Sequence, residues 1–229
     1  MTNKELYQAT FSQVHGKVRQ ADFPRRKRRS PRTFGLLAAA VVLVVVITGF
    51  WLVSRYNTMV ELRSGQNGYE KVWADVQAQY QRRSDLIPNL VSTVKGYADF
   101  EQKTLTDVVD ARAKATQTTI DPTNLTPAAL EKYQSAQGEL SQALGRLMVV
   151  VERYPDLKAN QSFQELQSQL EGTENRIAVA RQRFNEAASV YNAYIMKFPS
   201  NAIAGMFGFE KAALFQADEG ASAAPKVEF

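Results

Sequence analysis

Apolar side chains in the C-terminal part of the chain recur at alternating steps of three and four residues, a spacing that predicts helices packed in coiled-coil style. The longest series consists of Phe163, Leu166, Leu170, Thr173, Ile177, Ala180, Phe184, Ala187, Tyr191, Tyr194 and Phe198. Ser162 and Glu165 match a capping box, which predicts the start of this helix, and Pro199 predicts its end. The pattern therefore indicates one long helix with a single buried face.

Three shorter series have the same spacing. The first consists of Leu130, Tyr133, Gln137, Leu140, Leu144, Leu147, Val151 and Tyr154. The second consists of Leu90, Val94, Tyr97, Glu101, Leu105, Val108 and Arg112, and the third of Tyr69, Trp73, Val76 and Tyr80. Thr126 and Pro127 predict the start of the first series as N-cap and first-turn proline, and Pro155 predicts its end. Each series predicts a helix.

The region around Pro88, between the last two series, has two interpretations. The apolar spacing continues nearly in phase through Arg83 and Ile87, so Pro88 either kinks one continuous helix or begins a new helix after a tight turn. One unbroken helix would be about 70 Å long, well beyond its partners. Ser84 and Asp85 are also good capping residues. These two arguments favour a turn at Pro88.

Together the series predict an all-α fold. No strand-like alternation occurs, and the polar segment 116–124 predicts a loop. The expected architecture is an antiparallel up-and-down four-helix bundle over residues 56–215, preceded by an N-terminal transmembrane helix. Residues 64–68 are rich in helix breakers and indicate a flexible joint before the first bundle helix. Residues 216–229 are predicted to be a disordered C-terminal tail.

Residues 34–53 contain no charged side chain. Because about 20 helical residues span the roughly 30 Å hydrocarbon core of a bilayer, this run predicts a single-pass transmembrane helix. A cleaved signal peptide fits less well, since its apolar region is about 7–15 residues long and precedes a small-residue cleavage site. The run ends in Phe-Trp-Leu-Val with no such site after it. The segment is therefore expected to be an uncleaved signal anchor.

The charge distribution predicts an orientation in the membrane. Residues 1–55 carry ten Lys or Arg and two acidic residues, whereas residues 56–229 carry eighteen and twenty-one. The basic cluster before the apolar run consists of Arg25, Arg26, Lys27, Arg28, Arg29 and Arg32. Because basic flanks stay in the cytoplasm, residues 1–33 should be a cytoplasmic tail and the bundle extracytoplasmic. The cluster suits anionic membrane lipids, and the slightly acidic outer domain is a poor match for nucleic acid.

Four fragments resemble the LemA family of bacterial membrane proteins. They are YN at 56–57, QYQRRSDLIPNLVSTVKGYADFEQ at 79–102, ERYPDLKANQSFQELQSQLEGTENRIAVARQRFN at 152–185 and YNAYIMKFPSNAIAGMFGF at 191–209. The resemblance implies an N-terminal anchor in the bacterial cytoplasmic membrane, a four-helix bundle and no enzymatic activity. By analogy with the genes that neighbour LemA-like genes, it also implies an alternative role, as regulatory adaptor of a membrane enzyme such as an envelope quality-control protease.

The residue inventory excludes several chemistries. The chain has no Cys, and its one His, His15, lies in the N-terminal tail. A thiol nucleophile, a disulfide, a His-based triad and the Glu-x-x-His motifs of di-metal bundles are therefore absent from the predicted bundle. Glu101 and Arg112 fall on a buried seam, where Glu101 is expected to pair with a neighbouring Arg. The sequence predicts no catalytic, metal or cofactor site, and hence a non-catalytic binding or scaffolding module.

Two groups of residues are candidates for contact with an unknown protein partner. The polar group consists of Arg82, Arg83 and Asp85, which either recognise an anionic partner or fix a helix connection. The apolar group, Ile203, Met206, Phe207, Phe209 and Phe215, follows the end of the longest helix. That segment must either fold back on the bundle, which we expect, or present an apolar patch to a partner. The oligomeric state stays open, a homo-oligomer included.

Overall fold

A computed structural model describes residues 31–97 and 100–216, and every regular element in these ranges is helical. The chain divides after Thr48 into two compact units. The predictions for the N-terminal tail, which include His15, Arg25, Arg26, Lys27, Arg28 and Arg29, lie outside the described residues, as does the C-terminal tail from residue 217. The all-α prediction is confirmed for the described ranges.

Helix α1 spans Pro31–Ser64 and contains the predicted transmembrane run, with Arg32 in its first turn. Among the described residues, one helical stretch is long and apolar enough to cross a membrane by length and composition. Its side chains are exposed, as at Leu36 and Val42, so this apolar surface is not part of a protein core. The helix does not end with the apolar run, because it continues for about three turns beyond residue 53.

The C-terminal part of α1 belongs to the second unit, and Met59 there is fully buried. Residues 65–68 then form a tight turn, in which the Gly68 N–H donates to the Gly65 carbonyl over 2.9 Å. A Cβ at Gly68 would lie 2.6 Å from the Arg63 backbone, so the turn requires glycine there. Arg63 also pairs with Glu70 across the turn at 2.6 Å. Where the sequence indicated a flexible joint, the structure has a hydrogen-bonded turn.

Helix α2 spans Tyr69–Lys95 without interruption, so the predicted turn at Pro88 is wrong. Proline lacks the N–H that would bond the carbonyl four residues earlier, which is that of Ser84. The Arg112 Nε donates to this carbonyl over 2.9 Å and satisfies it from the next helix. The break falls instead between Lys95 and Gln102, so the series from Leu90 to Arg112 belongs to two helices.

The remaining helices are α3 (Gln102–Gln117), a 3-10 turn (Pro122–Asn124), α4 (Pro127–Val151), α5 (Pro155–Lys158), α6 (Gln161–Met196) and α7 (Ser200–Phe207). The predicted cap of α4 is confirmed, because the Thr126 hydroxyl accepts the Ala129 N–H over 3.2 Å. The predicted capping box of α6 is wrong. Its N-cap is Asn160, whose Oδ1 accepts the Phe163 N–H over 3.1 Å, and Ser162 lies inside the helix.

The buried face of α6 departs from the predicted seam near its C-terminal end. The sequence spacing predicted Ala187 and Tyr194 as buried positions, whereas the structure buries Ala188 and Ile195. A straight helix has 3.6 residues per turn, so a strict 3.5-residue seam drifts around it and the inward positions shift by one. The buried face of α6 thus follows the predicted spacing as far as Phe184 and includes Ala188 and Ile195 beyond it.

Helix α2 packs mainly against α6, and α3 packs mainly against α4. Buried side chains form two clusters along these helices. The aromatic core comprises Met59, Tyr69, Trp73, Val76, Tyr80, Ile120, Leu125, Leu130, Tyr133, Ile177, Ala180, Phe184, Ala188, Tyr191, Ile195, Ile203, Ala204, Ala212, Ala213 and Phe215. The aliphatic core comprises Ile87, Leu90, Val91, Val94, Phe100, Leu105, Val108, Ala115, Leu140, Ala143, Leu144, Leu147, Val151, Leu157, Phe163 and Leu170.

Candidate functional site

A layer of polar side chains separates the two cores, and Arg83 lies at its centre with only 1% of its surface exposed. Its guanidinium donates to Gln137 Oε1, Ser141 Oγ and Glu174 Oε1, each over 2.7 Å. It also donates to the Gln137 carbonyl over 3.1 Å and lies over the Tyr80 ring. A buried charge is costly unless it is paired and hydrogen-bonded, and these contacts provide both. Arg83 thus connects α2 to α4 and α6.

Three other buried polar residues share this layer: Ser84 on α2, Gln137 on α4 and Thr173 on α6. Gln137 extends the layer to α3, because its Nε2 donates to the Ala115 carbonyl over 3.3 Å. Each of the three falls between residues of the aromatic core and residues of the aliphatic core on its own helix. A polar layer that is satisfied in only one alignment sets the register of the helices it joins.

The predicted polar site is not a single surface. Arg83 faces the core, whereas Arg82 and Asp85 are exposed. Asp85 accepts a hydrogen bond from Gln81 over 2.7 Å along the same helix. Residues two positions apart on a helix point in different directions, so the three side chains do not converge. The idea of a joint site for an anionic partner is therefore wrong as far as Arg83 is concerned.

Glu101 and Arg112, the two charged residues of the predicted seam, both have hydrogen-bonding partners. Glu101 is the exposed N-cap residue of α3, and its carboxylate pairs with Arg153 at 3.0 Å. Arg112 is half-buried and donates to the Ser84 carbonyl, as described above. Within residues 31–97 and 100–216, no three His, Cys, Asp or Glu side chains come together as metal ligands would.

An open groove of about 490 Å³ runs along α2 and α6. Its charged and polar lining consists of Asp75, Gln79, Asn175, Arg176 and Arg183. Glu174 follows Thr173 and precedes this part of the lining, and its carboxylate accepts a hydrogen bond from Arg83. Asn175 and Arg176 are exposed, as Glu174 is, but of these three neighbours it is Glu174 that bonds Arg83 on α2.

The five apolar residues predicted as a possible partner surface, on α7 and in the segment after it, are divided between the core and solvent. Ile203 and Phe215 are buried in the aromatic core, and Phe209 is half-buried against it. Met206 and Phe207 are exposed by 78% and 57%. Both Phe207 and Phe209 make edge-to-face contacts with Tyr56 of α1, with ring centroids 5.0 and 5.5 Å apart. The outward part of the predicted surface is therefore Met206 and Phe207.

The chain after α7 folds back along α6 as an extended strap, residues 209–216. Gly208 precedes it in the left-handed region, with a φ of 72° that favours glycine. Phe215 anchors the strap, stacking on Trp73 at 5.8 Å and meeting Phe184 edge-to-face at 5.5 Å. The side-chain amides of Asn185 and Asn192 form hydrogen bonds with the backbone of the strap.

Sequence analysis did not select Asn185 or Asn192. A signal for them exists, since they lie seven residues apart on one face of the long helix, next to the buried Phe184 and Tyr191. Asn is a poor helix former and has no helix-stabilising reason to recur there. Two such residues at this spacing indicate hydrogen bonding to something that lies along the helix.

Three tyrosines of the aromatic core have raised pKa values. Burial raises the pKa of Tyr69 to about 12, and burial also raises the pKa of Tyr133 and of Tyr191. The cause is the same for all three, because a phenolate is disfavoured where water is excluded.

This burial predicts alkaline unfolding. The folded-state pKa values lie above the unfolded value of about 10, so stability is fully present below pH 10 and is lost as the pH rises from about 10 towards 12. We expect the melting temperature, followed by circular dichroism, to fall over this range together with the appearance of tyrosinate absorbance. Tyr133→Phe should reduce the loss, because the variant no longer buries this phenol. A melting temperature that is constant up to pH 12 would contradict the burial of these rings.

Comparisons with known proteins identify the family of this chain. A family model described as LemA family matches residues 72–229. The magnetosome proteins MamQ 1 and MamQ 2 of Paramagnetospirillum magneticum are each 30% identical over 212 residues, which covers 84% of this chain and 75% of the relative. Protein LemA of Metamycoplasma hominis is 28% identical over 178 residues, which covers 78% of this chain and 76% of the relative. The chain therefore belongs to the LemA family.

Proposed function

We propose that this chain is a single-pass membrane protein whose helical domain is a non-catalytic binding or scaffolding module on the outer side of the cytoplasmic membrane. The exposed apolar length of α1 supports the membrane span. The basic residues that precede it, Arg25, Arg26, Lys27, Arg28, Arg29 and Arg32, support a cytoplasmic N-terminus. Anionic lipids are the expected contacts of that cluster.

We also propose that α2, α3, α4 and α6 form an antiparallel up-and-down bundle. Two contacts between α2 and α6 support this: Tyr69 meets Tyr191, whereas Arg83 meets Glu174, so residue numbers rise along one helix as they fall along the other. Two ion pairs along α3 and α4 follow the same rule: Glu101, just before α3, lies near Arg153, just after α4, and Lys114 lies near Glu139. Such a bundle is a rigid support for a binding surface.

The observation that carries the binding role is the outward surface of α7. Met206 and Phe207 remain exposed although Ile203 on the same short helix is buried. Exposed Met and Phe side chains on a positioned helix are typical of surfaces that bind partners. The alternative role, a regulatory adaptor of a membrane enzyme such as a protease, uses the same surface and differs in what is bound.

Covalent capture at this surface tests the proposal. A photo-crosslinking phenylalanine analogue at position 206 of the full chain, in native membranes, is expected to yield an adduct with a specific protein. The same analogue at position 149, where Val149 on α4 is 72% exposed, is the matched control and should yield none. An adduct with a second copy supports a scaffold, and one with a membrane protease supports the adaptor. Equal capture at both positions, or none, contradicts a binding role for α7.

The orientation has its own test. A reporter that is active only outside the cytoplasm should be active when fused after Phe229 and inactive when fused at the N-terminus. Neutral residues in place of the basic residues 25–29 should give mixed insertion, because the charge difference across the span then becomes small. The opposite pattern of reporter activity would reverse the proposed orientation.

A further inference from the structure

The hydrogen bonds that hold the strap all involve its backbone. The Asn192 side chain accepts the Ala212 N–H over 2.8 Å and donates to the Ala212 carbonyl over 2.9 Å. The Asn185 side chain likewise accepts the Phe215 N–H and donates to the Phe215 carbonyl, with both distances 2.9 Å. Each asparagine amide thus mimics a neighbouring β-strand, which bonds the N–H and C=O of one residue. This mode of contact does not depend on the side chains of the bound segment.

Three further side chains extend the contact to both ends of the strap. The Tyr191 hydroxyl donates to the Glu210 carbonyl over 2.9 Å. Arg181 and Gln134 both donate to the Gln216 carbonyl, over 3.0 and 3.4 Å. Gln134 lies on α4 and the others on α6, so the strap lies in a groove with two helical walls.

The spacing of the asparagines matches an extended chain. Seven helical residues rise about 10.5 Å, and three extended residues span about 10 Å. Asn185 and Asn192 are seven apart, and their partners Phe215 and Ala212 are three apart. Helix α6 therefore presents two amides at a separation that matches residues 212 and 215 of the strap.

The groove also selects side chains at three positions. Phe215 is 6% exposed in a pocket formed by Trp73 and Phe184, with the Arg181 guanidinium 4.9 Å from its ring centre. Ala212 and Ala213 are 7% and 8% exposed, so the groove holds small side chains at these two positions. Leu214, between them and Phe215, is 41% exposed. The accepted pattern is small, small, any residue, aromatic.

We propose that this groove is a binding site for extended peptide segments, that the strap occupies it in cis as a built-in competitor, and that its ligand in trans is a segment of a partner protein with the small-small-any-aromatic pattern. The proposal rests on the binding role proposed above and assigns it a second surface, separate from Met206 and Phe207. A tether as short as Gly208 keeps the strap at an effective concentration in the millimolar range, so the groove binds a partner only when the partner displaces the strap.

A strap from a second copy of this chain is the less favoured ligand. Exchange between two copies replaces each strap by an identical one, so the contacts inside the groove are unchanged. A partner segment with the same pattern adds its own contacts outside the groove and can therefore displace the strap.

Peptide rescue tests the proposal in the full-length chain in detergent. Phe215→Ala removes the anchor of the strap and leaves the groove residues intact. The probe is a fluorescent peptide with the strap sequence FEKAALFQ, and the control peptide is FEKAALAQ. We expect the probe to bind the variant at least ten-fold more tightly than it binds the wild-type chain, and to raise the melting temperature of the variant. The control peptide should bind at least ten-fold more weakly than the probe.

Substitutions in the groove show where the probe binds. Added to Phe215→Ala, the changes Asn185→Ala and Asn192→Ala should abolish binding. Gln182→Ala is the matched control, because Gln182 is exposed on the same helix and bonds only Glu186 in the structure; it should leave binding unchanged. Phe215→Leu, a milder change, serves in place of Phe215→Ala if the latter chain loses its helical signal.

Three results would overturn the proposal. The first is the absence of probe binding to a Phe215 variant that keeps its helical circular dichroism, and the second is binding that does not depend on the asparagines. The third is a wild-type dimer that dissociates on Asn192→Ala, which would identify the second copy as the ligand. Crosslinking at position 206 does not involve the groove, so a failure here leaves the binding role of α7 to its own test.

Discussion

Phe184→Ala is expected to lower the free energy of unfolding by roughly 3–5 kcal/mol, the range for truncating a buried phenylalanine. Phe184 is fully buried, and its ring contacts Tyr69, Trp73 and Phe215 edge-to-face. Removing the ring leaves a cavity between aromatic side chains held by two separate segments, α2 and the strap, which cannot readily move in to fill it.

The measurement is urea unfolding of a fragment that begins at Tyr56, followed by the fluorescence of Trp73. Trp51 is absent from that fragment, so the signal reports the aromatic core alone. Val179→Ala is the matched control on the same helix, because Val179 is 48% exposed and should cost well under half as much. A Phe184→Ala fragment as stable as the Val179→Ala fragment would show that the aromatic core is assigned wrongly.

Arg83→Ala should have an effect of similar size for a different reason. Removing one member of a buried, hydrogen-bonded ionic network costs roughly 3–5 kcal/mol where the partners stay buried. Glu174 can turn to water, since its side chain is 46% exposed, but Gln137 remains buried and loses its donor. We therefore expect a loss towards the lower end of that range, about 3 kcal/mol.

The neighbouring residue gives the control for this substitution. Arg82→Ala removes the same side chain from an exposed position and should change the free energy of unfolding by less than about 0.5 kcal/mol. Arg83→Lys should recover only part of the stability, because an ammonium cannot reproduce the planar fork that reaches Gln137, Ser141 and Glu174 together. If Arg82→Ala and Arg83→Ala prove equally mild, the polar layer does not hold the helices in register.

The course of the chain through Pro88 shows why local signals were insufficient there. Proline and two capping residues favoured a turn on local grounds, and the expected length favoured it by comparison with the other helices. The helix continues because Arg112, 28 positions beyond Ser84, supplies the missing hydrogen bond. Nothing within one helical turn of Pro88 carries that information.

The α7 segment shows the same limit. Its composition predicted either a fold-back on the bundle, which we expected, or an apolar patch for a partner, and residues of the segment fit each alternative. Ile203 and Phe215 are buried, whereas Met206 and Phe207 are exposed. Which side chain enters the core depends on where the pocket between Trp73 and Phe184 lies, and that pocket exists only when α2 and α6 are side by side.

The sequence by itself determined the all-helical composition, the apolar helix, the N-cap at Thr126 and the membership of the LemA family. These follow from periodicity, capping chemistry and local strings, which act over a few residues. Tertiary structure alone decided the polar layer around Arg83, the rescue of Pro88, and the groove in which Asn185 and Asn192 bind the strap. The physical reason is that a polar side chain inside a helix has no preferred partner until another segment lies opposite it.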